Sequence, residues 1–117
     1  MSQQAPEERM AENEAIFRDA NERIEGRARE LEFQHPVPFL CECGDAQCRA
    51  LLRLPLAEYE AVRSEPTHFL IAPEHEAVVR DSGRIVRRGD VYLVAEKTGR
   101  SDEMAAERDP RQRSESG

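Results

Sequence analysis

Three cysteines stand close together in the segment "FLCECGDAQCR", and the chain contains no others. Cys41, Cys43 and Cys48 follow the spacing C-x-C-x4-C. Thiolates favour zinc over magnesium or calcium, and several can share one tetrahedral ion with Zn–S bonds of about 2.3 Å. In a regular strand Cys41 and Cys43 would lie about 6.6 Å apart, so the chain must tighten there. Gly44 can take the positive φ of a sharp turn. We therefore predict a Zn2+ site.

Three thiolates leave one position of a tetrahedral zinc site open. We expect His75 to fill it, because His75 follows a predicted strand and a proline that bends the chain. The imidazole of His75 does not belong to any apolar sequence pattern, so it is free to serve as a ligand. The alternatives are another histidine, an acidic side chain or water, and the protein candidates are His35, His68, Glu42 and Asp45. A different interpretation treats the three cysteines as small buried hydrophobic residues without a metal.

The segment "CECGDAQCR" resembles the post-SET zinc loop of SET-domain lysine methyltransferases, which has the same C-x-C-G-x3-C-R spacing. In that family a fourth cysteine from the catalytic domain completes the zinc site. This chain has no fourth cysteine and no room for a SET domain. The resemblance therefore implies local zinc geometry and not methyl transfer.

A broader pattern resembles a family of short bacterial proteins that has no established activity. The pieces that carry this resemblance are "NERI", "FLCECGDAQC", "LAEYEAVRSEPTHFLIAPEHE" and "YLVAEK", all within residues 13–97. The resemblance implies that Cys41, Cys43, Cys48 and His75 belong to one set. It implies a site and no function.

A long amphipathic helix is predicted ahead of the cysteines, over residues 9–33. Apolar side chains recur there every seven residues, at Met10, Phe17, Ile24 and Leu31. The prolines after His35 force the chain out of helical geometry. The stripe formed by Phe17, Ile24 and Leu31 can pack on its own domain or bind a partner protein. It can also pair with a second copy as a short coiled coil, which would give a homo-oligomer.

Short apolar runs bounded by glycine, proline and aspartate predict strands over residues 39–41, 49–54, 68–72, 77–80, 84–88 and 91–96. The segment "PLAEYEAVRSEP" predicts one short helix, because a proline can open it and a second proline ends it. These elements predict an α+β fold: a long N-terminal helix, then a small zinc-stapled antiparallel β domain with one short helix.

The predicted zinc-binding domain covers residues 36–98, whereas residues 1–8 and the tail 99–117 are expected to be disordered. A core of this size rarely contributes more than about 3–5 kcal/mol of stability and often needs a staple. The cysteine cluster is where such a staple would act.

Charge and hydropathy restrict the possible partners. The net charge is −7, from 17 basic and 24 acidic residues spread along the chain, whereas a duplex-binding domain concentrates basic side chains on one face. A nucleic-acid partner is therefore disfavoured. No run of 18 apolar residues exists and the first residues are polar and acidic, so we expect neither a membrane span nor a secretory signal. Three cysteines cannot form a closed disulfide framework, which agrees with a cytoplasmic location.

Three functions remain compatible with this pattern. The first, which we favour, is a non-enzymatic cytoplasmic zinc protein that binds another protein, as a regulator for example. The second is a thiol-based redox or zinc sensor, in which oxidation of thiolates ejects the metal. The third is a small metalloenzyme with an open zinc position and Glu74 or Glu76 as general base. No GxSxG, phosphate-binding glycine loop or paired-carboxylate motif supports an enzyme.

Overall fold

The computed structural model describes residues 6–80, 83–98, 109 and 111. The elements follow in the order α1 (Pro6–Glu30), β1 (Val37–Leu40), β2 (Leu51–Leu54), α2 (Leu56–Arg63), β3 (His68–Ile71), a 3-10 turn (Pro73–His75) that continues into α3 (Glu76–Val79), β4 (Gly83–Arg88) and β5 (Leu93–Lys97). The predicted α+β fold class, with its long first helix and small antiparallel sheets, is confirmed. None of the described helices is both long and apolar enough to cross a membrane.

The strands form two antiparallel sheets that share one apolar core. β1 pairs with β2, and β5 lies between β3 and β4 in a three-stranded sheet. In β2 the exposed and buried side chains alternate, so Leu52 and Leu54 point into the core. The rings of Phe39 and Tyr59 stack at a centroid distance of 4.1 Å and join β1 to α2.

Helix α1 packs on β1 with a face that is largely polar. It begins and ends somewhat earlier than the predicted range 9–33. Its buried side chains recur at helical spacing and are Ala11, Glu14, Arg18, Asn21 and Ala28. The apolar stripe lies beside this face: Phe17 and Ile24 are half-buried, and Leu31 is 60% exposed. The stripe is therefore only partly used by the protein's own core.

The strand predicted over residues 77–80 is wrong, because these residues belong to α3 and the position that follows it. Pro73 begins the preceding 3-10 turn, and Val79 is buried in the core. Glu76 accepts two hydrogen bonds from the guanidinium of Arg88 at 2.8 and 2.9 Å, which ties α3 to β4. The β-branched composition of the run favours a strand, but these contacts outweigh that weak preference.

Two residues of the tail 99–117 are described, and both contact the helices; disorder of the tail as a whole stays a prediction. The carboxylate of Asp109 lies 3.3 Å from Arg18 and 2.5 Å from Arg63, and it is 1% exposed. Arg111 contacts Glu22 and Glu60. Residues 99–108, 110 and 112–117 of the predicted tail, and residues 1–5 of the range 1–8, lie outside the described residues.

Asn21 is expected to be a main stabilising residue of the α1–β1 contact. Its amide donates to Leu40 O (2.9 Å) and to Glu42 Oε2 (2.8 Å), and its oxygen accepts the Leu40 N–H (2.8 Å). Truncation leaves buried polar groups without partners at about 1–3 kcal/mol each, so we expect Asn21→Ala to cost about 3 kcal/mol or more. Urea denaturation measures this cost. Asn13→Ala is the matched control, since the Asn13 amide makes one hydrogen bond, to Gly44 O, and should cost about 1 kcal/mol. Equal losses in the two variants would contradict this assignment.

Candidate metal centre

The segment between β1 and β2 is a hairpin loop whose two ends bring the cysteines together. Cys41 directly follows β1, and its N–H donates to Ala50 O at 3.2 Å, which extends the ladder beyond the strands. The N–H of Cys48 donates to Asp45 O at 3.0 Å, and the N–H of Gln47 donates to Asp45 Oδ1 at 2.8 Å. These bonds close a tight turn, so that the sulfur atoms at its two ends converge. We call residues 41–50 the ligand loop.

Gly44 makes the turn of the ligand loop possible. Its φ is +84°, a conformation that side chains with a Cβ rarely adopt. A Cβ on Gly44 would lie 2.5 Å from Met10 Cγ and 3.1 Å from Met10 O, because α1 lies directly against the loop. The amide of Asn13 donates to Gly44 O at 3.0 Å and adds a direct link to the helix. The turn that the cysteine spacing requires is therefore found at the predicted residue.

Glu42 anchors the ligand loop to the three-stranded sheet and lies outside the cluster of candidate ligand atoms. Its N–H donates to Leu70 O at 2.7 Å, and its Oε1 accepts the Leu70 N–H at 3.0 Å. The side chain is fully buried, and its Oε2 accepts a hydrogen bond from the Asn21 amide at 2.8 Å. Burial raises the pKa of Glu42, and the charges of Arg18 and Arg63 oppose that increase. A carboxylate that this environment holds in the interior fixes the position of both neighbouring cysteines.

His75 reaches the cysteines from the turn after β3. The N–H of His75 donates to Ala72 O at 2.9 Å, which shapes the turn, and the N–H of Ala72 donates to Cys41 Sγ at 3.2 Å. The Nδ1 of His75 lies 3.6 Å from Cys41 Sγ. Sulfur and nitrogen ligands of one tetrahedral zinc lie about 3.5 Å apart, given bonds of about 2.3 and 2.0–2.1 Å. The observed separation fits a shared ion.

The four predicted ligands form one cluster. One ligand atom from each of Cys41, Cys43, Cys48 and His75 lies within 4.8 Å of the other three. Cys41 and Cys43 are buried, with 2% and 4% exposure, whereas Cys48 and His75 are half-buried. The Ala72 N–H donates to Cys41 Sγ. This hydrogen bond would stabilise a thiolate at Cys41, because hydrogen bonds to charged acceptors are stronger than those to neutral ones. These four residues can hold a metal ion.

The thiols of the cluster influence one another's ionisation. The hydrogen bond from Cys41 lowers the pKa of Cys43 to about 5. The same hydrogen bond, together with burial, raises the pKa of Cys41, and burial raises the pKa of Cys48. A thiolate is thus favoured at Cys43 near neutral pH, and a cation that binds all three sulfurs must displace the remaining protons. Metal binding at this cluster is therefore coupled to proton release.

The other candidates for the fourth ligand lie in different surroundings. The ring of His35 makes an edge contact with Phe33 at a centroid distance of 5.9 Å. His68 Nε2 lies 3.1 Å from Glu96 Oε2 on the three-stranded sheet. The carboxylate of Asp45 accepts the Gln47 N–H within the turn of the ligand loop. The structure therefore brings His75, and none of these three, into the cysteine cluster.

The apolar stripe of α1 borders two concave surfaces. The first, which we call the α1 groove, has a volume of about 390 Å3 and is lined by Arg23, Ile24, Arg27, Ala28, Leu31, Phe33, Val37 and Pro38. The second has a volume of about 430 Å3 and is lined by Asn13, Ile16, Phe17, Leu40, Ala46, Cys48 and Arg49. Phe17 thus lies near the metal-ligand cluster, whereas Ile24 and Leu31 lie in the α1 groove. Partner binding by these three residues stays a prediction.

The sequence pattern did not identify Asn21 as a residue that holds the ligand loop. Polar residues at helical spacing on α1 are typical of a solvent-facing surface, so their burial left no hydrophobic signal. Glu42 offered a clearer signal, because alternation along an extended segment places it opposite to the two flanking ligands. A carboxylate in that position must find hydrogen-bond donors inside the protein.

Comparisons with protein-family models, curated proteins and solved structures found none that matches this chain. The two resemblances carried by the cysteine segment stay predictions. The functional conclusion therefore rests on the geometry of the four ligands.

Substitution of His75 tests the fourth ligand. We expect His75→Ala to lower zinc affinity by at least about 100-fold, since even outer-shell partners of zinc ligands contribute about 10–100-fold. Competition with a chromophoric chelator measures the affinity. His35→Ala and His68→Ala are matched controls that should retain the affinity of the unmodified protein. If all three variants bind zinc equally well, His75 is not a ligand.

Proposed function

We propose that this chain is a small cytoplasmic protein whose fold is stapled by Zn2+ and which acts by binding another protein. The observation that carries the proposal is the convergence of three sulfur atoms and one imidazole nitrogen within 4.8 Å. Soft thiolate ligands favour zinc over magnesium and calcium. Four protein ligands complete a tetrahedral structural site, whereas catalytic zinc sites keep one position open for water.

The position of the ligands supports a structural role. Cys41, Cys43 and Cys48 belong to the ligand loop of the two-stranded sheet, and His75 follows the edge strand of the three-stranded sheet. An ion held by all four would cross-link the two sheets next to the Glu42–Leu70 hydrogen bonds. Structural zinc provides apparent binding energies of about 10–16 kcal/mol in small zinc-finger peptides, and this energy contributes to folding. A domain of this size gains most from such a cross-link.

The surroundings of the cluster also favour a non-catalytic role. In a zinc-bound cluster His75 would fill the position that water would need, and both carboxylate oxygens of Glu76 are engaged by Arg88. Of the two candidate general bases, Glu74 and Glu76, the second is therefore held in an ion pair. This arrangement weighs against a metalloenzyme that uses Glu76.

The α1 groove is the surface that we assign to a protein partner. Leu31 and Phe33, which are 60% and 43% exposed, line it together with Ile24. Arg23 and Arg27 lie in the same lining and are largely exposed. Exposed apolar side chains gathered in one concavity are typical of interaction sites. The basic residues beside them favour a segment that offers an apolar side chain flanked by acidic residues.

Removal of the metal tests the structural role. We expect one zinc per purified chain, and a chelator should lower Tm strongly. Ligand binding to the folded state contributes about 4 kcal/mol at a thousandfold excess over Kd, which corresponds to a shift of about 15 °C or more in a small domain. Calorimetry with and without chelator measures the shift. A purified protein that contains no metal, and whose Tm is the same with and without chelator, would refute the structural role of zinc.

The same zinc-loaded protein distinguishes a structural zinc site from a redox sensor. Cys48 is half-buried and borders a surface hollow, so an oxidant can approach it. One hydrogen peroxide and two protons would convert two thiolates to a disulfide and two waters, with release of the zinc ion. Zinc retained under mild peroxide supports the structural role. Stoichiometric release at low dose would assign the protein to the sensors instead.

Substitution in the α1 groove tests the interaction surface. We expect Leu31→Glu to abolish capture of the partner by the tagged protein with little change in Tm, because Leu31 is already 60% exposed. Leu51→Glu, at a 56% exposed leucine of β2 outside the groove, is the matched control and should capture the partner normally. Sedimentation of the purified protein shows whether the partner is a second copy. If both variants behave alike, the partner does not use the groove.

A further inference from the structure

Two buried arginines from different helices share one carboxylate. Arg18 of α1 is 1% exposed, and the side chain of Arg63 of α2 has no exposure. Asp109 Oδ2 lies 3.3 Å from Arg18 Nη2, and Asp109 Oδ1 lies 2.5 Å from Arg63 Nη2. Each oxygen of the carboxylate thus faces its own guanidinium. Asp109 is far from both arginines in sequence, so this contact is a tertiary one between the tail and the helices.

Contacts other than Asp109 hold the two arginines in place. Arg18 also donates to Pro66 O at 2.8 Å, and its guanidinium lies over the Phe69 ring at 4.2 Å from the centroid. Arg63 Nε lies 3.5 Å from Glu22 Oε2. Both guanidinium groups are thus also held by contacts that do not involve Asp109. A preorganised site loses less freedom on binding than a flexible one.

Two carboxylates act on both buried guanidinium groups. Glu42 acts on them through its charge, and Asp109 is in direct contact with each of them. Removing one partner of a buried ion pair is strongly destabilising.

A second pair of contacts follows two residues along the chain. Arg111 Nη2 donates to Glu60 Oε1 at 2.7 Å, and Arg111 also pairs with Glu22. The N–H of Arg111 donates to Asp109 Oδ1 at 2.9 Å, which sets the direction of the segment. The two buried arginines thus bind an aspartate. The acidic pair of Glu22 and Glu60 binds an arginine that lies two positions later in the chain.

We propose that Arg18, Arg63, Glu22 and Glu60 form a binding site for peptide segments of the type Asp-x-Arg. The chain's own Asp109 and Arg111 occupy this site, and an Asp-x-Arg segment of another protein takes their place. The tail is then a tethered competitor, because Asp109 and Arg111 belong to the same chain as the site and compete with an added segment at a high effective concentration. The site is separate from the metal-ligand cluster and from the α1 groove, so it stands independently of the function proposed above.

A peptide that copies residues 105–115 is the probe, titrated into the full chain at saturating zinc. We expect Asp109→Ala to bind the labelled peptide at least about tenfold more tightly than the unmodified chain, because the tethered competitor is weakened. A peptide with alanine in place of its aspartate should not bind. Arg63→Gln added to Asp109→Ala should abolish binding. Equal, weak binding to all chains would overturn the proposal.

Chemical rescue provides a second readout that does not depend on the peptide. In Asp109→Ala the buried arginine pair loses a carboxylate partner, so Tm should fall by about 10 °C or more. Sodium acetate should restore part of this loss, and sodium chloride at the same ionic strength should not. Asp90→Ala, at an exposed aspartate, is the matched control and should show neither effect. Asp109→Asn keeps the shape of the side chain and replaces the alanine variant if that variant does not fold. Absence of both peptide binding and acetate rescue would reject a carboxylate site.

Discussion

The alternation of side chains along Cys41-Glu42-Cys43 is the constraint on which the rest of the structure depends. The sulfur atoms of Cys41 and Cys43 cluster with the His75 ring. The Glu42 carboxylate enters the interior, where Asn21 and the Leu70 N–H bind it. Successive side chains of an extended segment point in opposite directions, so this short stretch supplies both the sulfur cluster and the buried Glu42 carboxylate. The positions of the sulfur cluster and of the carboxylate are therefore linked through one stretch of backbone.

The polar face of α1 determines where the helix lies and what it leaves exposed. Glu14 pairs with Lys97 of β5 at 2.5 Å, Arg18 contacts Pro66 and Phe69, and Asn21 bonds to β1. Buried ion pairs add little net stability, because desolvation offsets most of their attraction, but each of these contacts accepts only one partner geometry. The helix is thus positioned by specific polar contacts. Its apolar stripe is left at the edge of the core, where it lines the two surface hollows.

The ligand set was predictable because its signal is local. The spacing of the cysteines, the turn at Gly44 and the position of His75 after a strand and a proline are all short-range features. The same holds for α2, which lies between two prolines, and for most of the strands. Their order along the chain was enough to predict an α+β fold.

The features that the sequence did not reveal depend on distant partners. Hydrophobic periodicity identifies the apolar side of α1 as the inner one. It cannot tell whether polar residues such as Arg18 and Asn21 form hydrogen bonds inside the protein or face water. Glu76 of the helical turn accepts hydrogen bonds from Arg88, which lies on another element. The contact of Asp109 with the two arginines has no local pattern, since Asp109 lies 91 residues from Arg18 and 46 residues from Arg63. Tertiary ion pairs of this kind can be recognised only once the fold is known.

Glu42 connects the metal-ligand cluster to the tail site. Its charge acts on the same two arginines that bind Asp109, and its backbone lies between two of the metal ligands. When Asp109 leaves, Glu42 is the buried carboxylate that remains to balance Arg18 and Arg63. A metal ion bound by the cluster, as proposed, would cross-link the segment that carries Glu42. Any effect of a tail ligand on metal affinity must then be matched by an equal effect of the metal on that ligand, because coupling between two binding sites is reciprocal.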